Sequence, residues 1–358
     1  MKSNILKFKN KEVGDGRPVF IVAELSANHC GNFNLAMKTI KAMKEAGADA
    51  VKLQTYTADT LTIICDNPYF RIKQGTLWDG KTLHELYQQA YTPWEWQPKL
   101  KKFAEDIGLE FFSTAFDKSS VDFLEKLKVC AYKVASFEIT DLPLIEYIAS
   151  MGKPVIISTG MANLEVIKDA VNCCKKKKNN RIALLKCTSA YPAPLKESNL
   201  LTIPDMKEKF KIVVGLSDHA LGINASLASV ALGAKIIEKH FILDRKLGGP
   251  DSFFSLEPEE FRRMVESVRE IEQSLGAVSY KLCAQVKRNR IFSRSLFVTA
   301  DVRKGEIFSE ENIRSIRPGF GLLPEYLKAV LGKHAKTDIR RGTPLAWKHV
   351  CASRKARI

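Results

Sequence analysis

Eight short apolar runs, each followed by a helical stretch, constrain this chain more than any other feature. The runs are VFIVAEL (19–25), AVKLQT (50–55), EFFSTA (110–115), AYKVAS (131–136), PVIIST (154–159), IALLKCT (182–188), KIVVGLSD (211–218) and AKIIEKHF (234–241). They are rich in β-branched and aromatic residues and read as strands. Between them lie NLAMKTIKAMKEAGA, ending at Gly47, WEWQPKLKKFAEDIG, ending at Gly108, and then SSVDFLEKL, LPLIEYIASMG, NLEVIKDAVNCC, IPDMKEKF, INASLASVALG and PEEFRRMVESVREIEQSLG, all read as helices. Eight strand–helix pairs over about 255 residues fit a (β/α)8 TIM barrel of the α/β class. A doubly wound open sheet is the alternative, but it calls for a glycine-rich phosphate turn after the first strand. ELSANHCGN carries no such motif.

The connection after the second run is the one irregularity. It spans about 38 residues where 2 to 6 are usual, so it predicts a lid or substrate wall on the C-terminal face of the barrel. Tyr69, Phe70, Trp78, Tyr87 and Tyr91 make it aromatic-rich. After residue 276 the alternation stops. Residues 277–290 read as a basic linker, and 291–358, with turns at DVRKGE, RPGFG and RRGTPL, read as a small β-rich module. The catalytic domain is therefore expected over 1–276.

In such a barrel the chemistry sits where the strands end. The eight ends carry Glu24; Lys52 and Gln54; Ser113 and Thr114; Lys133 and Ser136; Ser158 and Thr159; Lys186 and Thr188; Ser217 and His219; and Glu238 and His240. Strands buried on both faces should be nearly all apolar, so packing does not account for these residues. Lys52, Lys133 and Lys186 converging on one mouth predict an anionic substrate, with serine and threonine hydroxyls as partners for its oxygens. The chain has only six histidines, and two of them end consecutive runs. A lone histidine is usually structural, but a pair on neighbouring strand ends predicts a divalent metal with open coordination positions, suited to polarising a carbonyl. Asp251, in the loop after the last run, and Tyr191, in the proline-stiffened loop after the sixth, are expected near the same mouth.

Composition narrows the class. The formal net charge is +16, but its dense part, KKKK at 175–178, ends a helix, and no zinc finger or helix-turn-helix pattern supports nucleic-acid binding. The charge reads as solvated helix faces. The longest apolar stretch, INASLASVALGA, is too short for a membrane span, and MKSNILKFKNKEVGDGRP has no apolar core of a signal peptide. A cytoplasmic protein is expected. The eight cysteines show no metal-knuckle spacing and read as reduced, with Cys187 the only nucleophile candidate and core packing its better reading.

IVAELSANH, AVKLQTY, FFSTAFD, AYKVASFEI, GKPVIISTGMA, LLKCTSAYP, VGLSDH and IIEKHFILDR followed by GGPD resemble, in order and spacing, the sialic acid synthase family. The tail, with RPGFGLLPEYLKAVLGK and RRGTPL, is similar to that family's C-terminal antifreeze-like (SAF) domain. Within the family, ELSANH, the aromatic insert and CTSAYPAP look most like the branch that makes pseudaminic acid, and Ser189 stands where neuraminate and legionaminate synthases usually carry asparagine. The resemblance implies condensation of phosphoenolpyruvate with an amino sugar, 2,4-diacetamido-2,4,6-trideoxy-L-altrose, by C–O cleavage with release of phosphate.

It also implies roles. Lys52, Gln54, Thr114, Lys133, Ser136, Ser158, Ser189 and Ser217 would hold phosphoenolpyruvate, and His219 and His240 would bind the divalent metal, Mn2+ first and Mg2+ or Co2+ as alternatives. Glu24, Tyr191 and Asp251 would hold the open-chain sugar, with Glu24 positioning or deprotonating the water. A homodimer is implied in which the SAF domain crosses to the partner and Arg317 points at the sugar. Cys30 departs from the family's usual asparagine. A neuraminate or legionaminate synthase, or an inactive barrel whose small domain binds an anionic glycan, are the competing readings.

Overall fold

The computed structural model describes residues 5–73, 75 and 78–351. It divides at Gly276 into two compact units. The first opens with a hairpin, β1 (Ile5–Lys7) and β2 (Glu12–Gly14), followed by eight parallel strands closed into a barrel: β3 (Phe20–Glu24), β4 (Ala50–Thr55), β5 (Glu110–Ala115), β6 (Tyr132–Val134), β7 (Val155–Ser158), β8 (Ile182–Cys187), β9 (Val213–Asp218) and β10 (Ile236–His240). β10 closes onto β3. The expected TIM barrel is therefore the fold.

Side-chain parity along the strands separates two apolar clusters. Val19, Ile21, Ala23, Val51, Leu53, Ile157 and Leu184 face outward against the helices, among them Ile40, Leu100, Ile145 and Phe261. Phe20, Val22, Ala50, Phe112, Ile156, Ala183, Leu185 and Ile236 fill the lower interior together with Leu6, Phe8 and Val13 of the hairpin. Phe8 stacks on Phe20 at 4.8 Å. The hairpin thus plugs the bottom of the barrel, a role not foreseen in the sequence, where residues 1–18 read only as lacking the apolar core of a signal peptide. An apolar plug below leaves the upper interior, where the strand-end polar residues lie, as the one mouth of the barrel.

The helices are α1 (Phe33–Glu45), α2 (Ala58–Leu61), α3 (Leu83–Ala90), α4 (Gln97–Asp106), α5 (Lys118–Lys126), α6 (Leu142–Ser150), α7 (Leu164–Lys176), α8 (Thr202–Phe210), α9 (Asn224–Ala231) and α10 (Pro258–Leu275). Short polar side chains start four of the outer ones: Asn32, Asp117, Asp141 and Asn163 each accept a backbone N–H of the first turn. The predicted helix from Trp94 begins instead with a 3-10 turn, Trp94–Trp96, because Pro98 fits the first turn of α4. The long insert is not featureless: it holds α2 and α3, each opened by a threonine capping box.

The second unit contains α11 (Ala284–Asn289), within an exposed stretch that includes all of 277–290, then β11 (Ser295–Val298), β12 (Ile313–Ile316) and α12 (Leu327–Val330). β11 and β12 pair antiparallel. Its own core is Leu296, Val298, Val302, Phe308, Ile313, Val330 and Leu345. Among the described residues no helix is long and apolar enough to cross a membrane.

Candidate active site

The parity that packs the lower barrel also selects which strand-end residues meet. Counting upward in twos from Phe20, Ala50, Phe112, Ala131, Ile156, Val213 and Ile236 reaches Glu24, Lys52 and Gln54, Thr114, Lys133, Ser158, Ser217, Glu238 and His240 on the interior face. Register then sets neighbours: Glu24 lies opposite Lys52 and His240, Gln54 opposite Thr114, Thr114 opposite Lys133, and Ser217 opposite Glu238. The same count corrects one expectation. Lys186 falls on the opposite face of β8 from Leu185 and Cys187, and its ammonium donates to the Cys187 carbonyl at 2.7 Å. Two lysines converge on the interior, not three.

These two are matched by two carboxylates. Lys52 is paired with Glu24 and lies 3.8 Å from Glu238, which is also 3.9 Å from Lys133. All four are buried. Burial raises both acids, but Lys133 and Lys52 outweigh it at Glu238 and hold its carboxyl below the usual range. At Glu24 burial wins over Lys52, with Glu238 adding to it, and the carboxyl is pushed up to about 7. The pair is split into one firmly ionised acid and one poised near neutrality, the arrangement suited to a proton acceptor and donor. Glu238 was not among the residues expected to act, although its position in EKH marked it.

Hydroxyls complete the interior. Lys52 donates to Thr114 at 3.2 Å, Lys133 to Ser158 at 2.6 Å, and Ser217 to Glu238 at 2.9 Å. Ser136 accepts from the Gly160 N–H at 3.1 Å, while the buried Ser189 hydroxyl has no partner among the described residues. Gly160 lets these two serines approach: a Cβ there would stand 2.2 Å from Ser189 Oγ and 2.9 Å from Ser136 Oγ. Beside them Glu138, another residue not singled out in the sequence, is pushed up to about 7 by burial against the opposing charge of Lys133. Two lysines with this ring of hydroxyls and backbone can take a doubly anionic substrate.

The two histidines lie next to this ring, with centroids 5.3 Å apart. His219 Nδ1 is 3.2 Å from the Thr188 carbonyl, which places a proton on Nδ1 and leaves Nε2 as the nitrogen that could meet a metal. His240 Nδ1 is buried with no hydrogen-bond partner among the described residues and lies 3.9 Å from Asp251 Oδ2. Burial, then the nearby His219, hold His240 well below the usual histidine range and therefore neutral. At His219 burial is outweighed by Cys187, which raises it above the usual histidine range, so it would give up a proton on binding a metal, whereas the orphaned His240 is already neutral. Together they fit a divalent metal that keeps open positions. Among the described residues no group of three or more His, Cys, Asp or Glu is arranged to hold one, so the protein's contribution to such a site is small. Cys187 lies 3.6 Å from His219 Nδ1 and is 2% exposed, which suits a packing role better than attack on a substrate.

Rings form one wall. Tyr191 packs at 4.5 Å on His219, 5.4 Å on Phe254 and 5.9 Å on Trp78, and Phe254 at 4.9 Å on His240. Trp78 thus brings the insert to the mouth, and Tyr87 meets Tyr56 at 5.8 Å. Tyr69, by contrast, is 90% exposed and forms no part of this wall. Phe254 was missed in the sequence because the loop LDRKLGGPDSFFSLEP gives no periodic signal. Gln54, expected beside phosphoenolpyruvate, donates at 2.9 Å to Ser26, which binds Asp251 at 2.5 Å, so it is hydrogen-bonded into the same cluster as Asp251. Arg317 is exposed in the second unit, at the end of β12.

Comparison with known proteins agrees with this geometry. The NeuB family matches over residues 39–280 and the SAF domain over 293–350. The pseudaminic acid synthase of Campylobacter jejuni is 48% identical over 92% of this chain and 96% of its own length. That of Helicobacter pylori is 44% identical, over 92% and 97%. Among solved structures, the N-acetylneuraminic acid (sialic acid) synthetase of Leptospira borgpetersenii, crystallised with citrate, superposes with a TM-score of 0.72 at 33% identity, covering 80% of this chain and 95% of that one. With the barrel, the charged interior and the histidine pair in place, these matches establish that the chain belongs to the NeuB family, the sialic acid synthases its motifs resemble, and that it carries a SAF domain.

Proposed function

We propose that this chain condenses phosphoenolpyruvate with 2,4-diacetamido-2,4,6-trideoxy-L-altrose and water to give pseudaminic acid and phosphate. The observation that carries the reading is the buried Glu24–Lys52–Glu238–Lys133 quartet beside the paired histidines. The similarity to the two pseudaminic acid synthases supports the choice of sugar.

Lys52 and Lys133, with Thr114, Ser136, Ser158, Ser189 and Ser217, hold the phosphate and carboxylate of phosphoenolpyruvate. Asp251 and Tyr191 orient the open-chain sugar so that its aldehyde faces C3 of the enol. As the C3–C1 bond forms, positive charge develops at C2, and water adds there. Glu24 takes a proton from that water, a role its carboxyl near 7 allows at neutral pH. Phosphate then leaves with its bridging oxygen by C–O cleavage as the C2 hydroxyl becomes a ketone. Of the two protons released from the added water, one goes to the former aldehyde oxygen, now a hydroxyl, and one to phosphate. His219 and His240 would hold a divalent metal, Mn2+ in first place, and such an ion polarises an aldehyde oxygen when bound. The protein is further proposed to act in the cytoplasm as a homodimer whose SAF domains cross, with Arg317 serving the partner's sugar site.

Phosphate release by purified protein with Mn2+ and phosphoenolpyruvate tests the reading. Turnover is expected with the altrose derivative, loss on dialysis against EDTA, and recovery with Mn2+ in the native protein but not in His240→Ala. Turnover of N-acetylmannosamine in place of the altrose derivative overturns the choice of sugar. Mixing inactive Lys133→Ala and Arg317→Ala proteins should restore activity, and no recovery from a mixed dimer refutes the crossing.

A further inference from the structure

Two residues after Glu24 the chain does something costly. Ser26 is buried, 4% exposed, yet its φ is +45°, the left-handed region where a Cβ is disfavoured and glycine is the easy residue. Strain of this kind persists only where the surroundings hold it, and such residues gather at functional sites. The conformation lets one residue serve two carboxylates. The Ser26 N–H donates to Glu24 Oε1 at 3.0 Å, and its hydroxyl donates to Asp251 Oδ2 at 2.5 Å. Gln54 Nε2 donates to the same hydroxyl at 2.9 Å, which directs the hydroxyl proton to Asp251. The Ala27 N–H adds a longer contact to Oδ2 at 3.4 Å. Both hydrogen bonds to Asp251 reach Oδ2, and among the described residues none is donated to Oδ1, which is left to a ligand.

We infer that Ser26 is a positioning residue for the sugar site: strained so that its hydroxyl, oriented by Gln54, sets the Asp251 carboxylate to receive the amino sugar. The inference rests on the reading that Asp251 holds the sugar. A glycine would keep the N–H to Glu24 and relieve the backbone, so only the hydroxyl's contribution is lost. A serine present for stability would behave in the opposite way.

The test compares Ser26→Gly, Ser26→Ala, Asp251→Asn and the double variant Ser26→Gly/Asp251→Asn, measuring KM for each substrate, kcat and thermal midpoint. Ser26→Gly should raise KM for the amino sugar about tenfold, the loss expected for a hydrogen bond to a charged group, and leave KM for phosphoenolpyruvate within twofold. Its thermal midpoint should equal or exceed the native value and lie above that of Ser26→Ala, which keeps the strain. In the Asp251→Asn background the glycine substitution should cost little further, because its effect runs through Asp251. An unchanged sugar KM in Ser26→Gly, a lower midpoint, or an undiminished loss on Asp251→Asn overturns the inference. Failure of the native protein to use any amino sugar would instead overturn the function on which it rests.

Discussion

Replacing Gly160 by alanine tests the anion site most directly. Gly160 has no positive φ, so its backbone admits alanine, and the whole effect comes from space. The new methyl would lie 2.2 Å from Ser189 Oγ, 2.9 Å from Ser136 Oγ and 3.2 Å from the Ser189 nitrogen. Carbon contacts settle at about 3.5 Å or more, so the Ser189 hydroxyl must retreat by about 1 Å. A serine hydroxyl can swing away cheaply, and the Ser136 bond to Gly160 is worth about 1 kcal/mol, so the fold should lose only about 1–3 kcal/mol. Function should lose far more, because a misplacement of about 1 Å at a positioning group costs on the order of a hundredfold. The expected result is a rise of that size in KM for phosphoenolpyruvate, or in kcat/KM where saturation is out of reach. Phosphate release across a phosphoenolpyruvate titration, alongside a melting curve, measures both. A folded variant whose KM for phosphoenolpyruvate changes less than threefold would show that Ser136 and Ser189 do not hold this substrate.

Two other outcomes follow from the interior. Glu24 is raised from 4.5 to about 7, so the folded protein retains a proton that the unfolded chain releases; this stabilisation is complete below pH 4.5 and is lost as pH rises through about 7. At 1.36 kcal/mol per unit it amounts to about 3 kcal/mol, so Glu24→Gln should gain stability relative to the native protein between pH 5 and 8, and urea unfolding that shows a pH-independent difference contradicts the assignment. Phe254 is buried against His219, His240 and Tyr191, so Phe254→Ala should cost about 3–5 kcal/mol by melting and raise KM for the sugar more than for phosphoenolpyruvate. Equal effects on the two would place the ring outside the sugar wall.

Much of the barrel was legible because its signals are local. A strand–helix alternation depends on residues a few positions apart, and caps such as Asn32 and Asp117 lie next to the helices they start. The site residues were legible for a related reason: polar groups at the ends of otherwise apolar strands are anomalous wherever the strands end up. Lys186 misled because strand-end position alone does not state which face a side chain takes; that needed the register of β8 with its neighbours. Phe254 and Ser26 sit in loops, where no periodicity reports the contact a side chain will make.

The sequence by itself determined the fold class, the line of strand ends and the family, because these depend on pattern and motif order. Only the tertiary structure decided how the groups pair. Closure of β10 onto β3 brings Glu238 and His240 beside Glu24, more than two hundred residues away in the chain, and burial there sends one carboxylate down and the other up. The physical reason is that desolvation and charge pairing depend on distance in space, which a chain acquires only when its barrel closes.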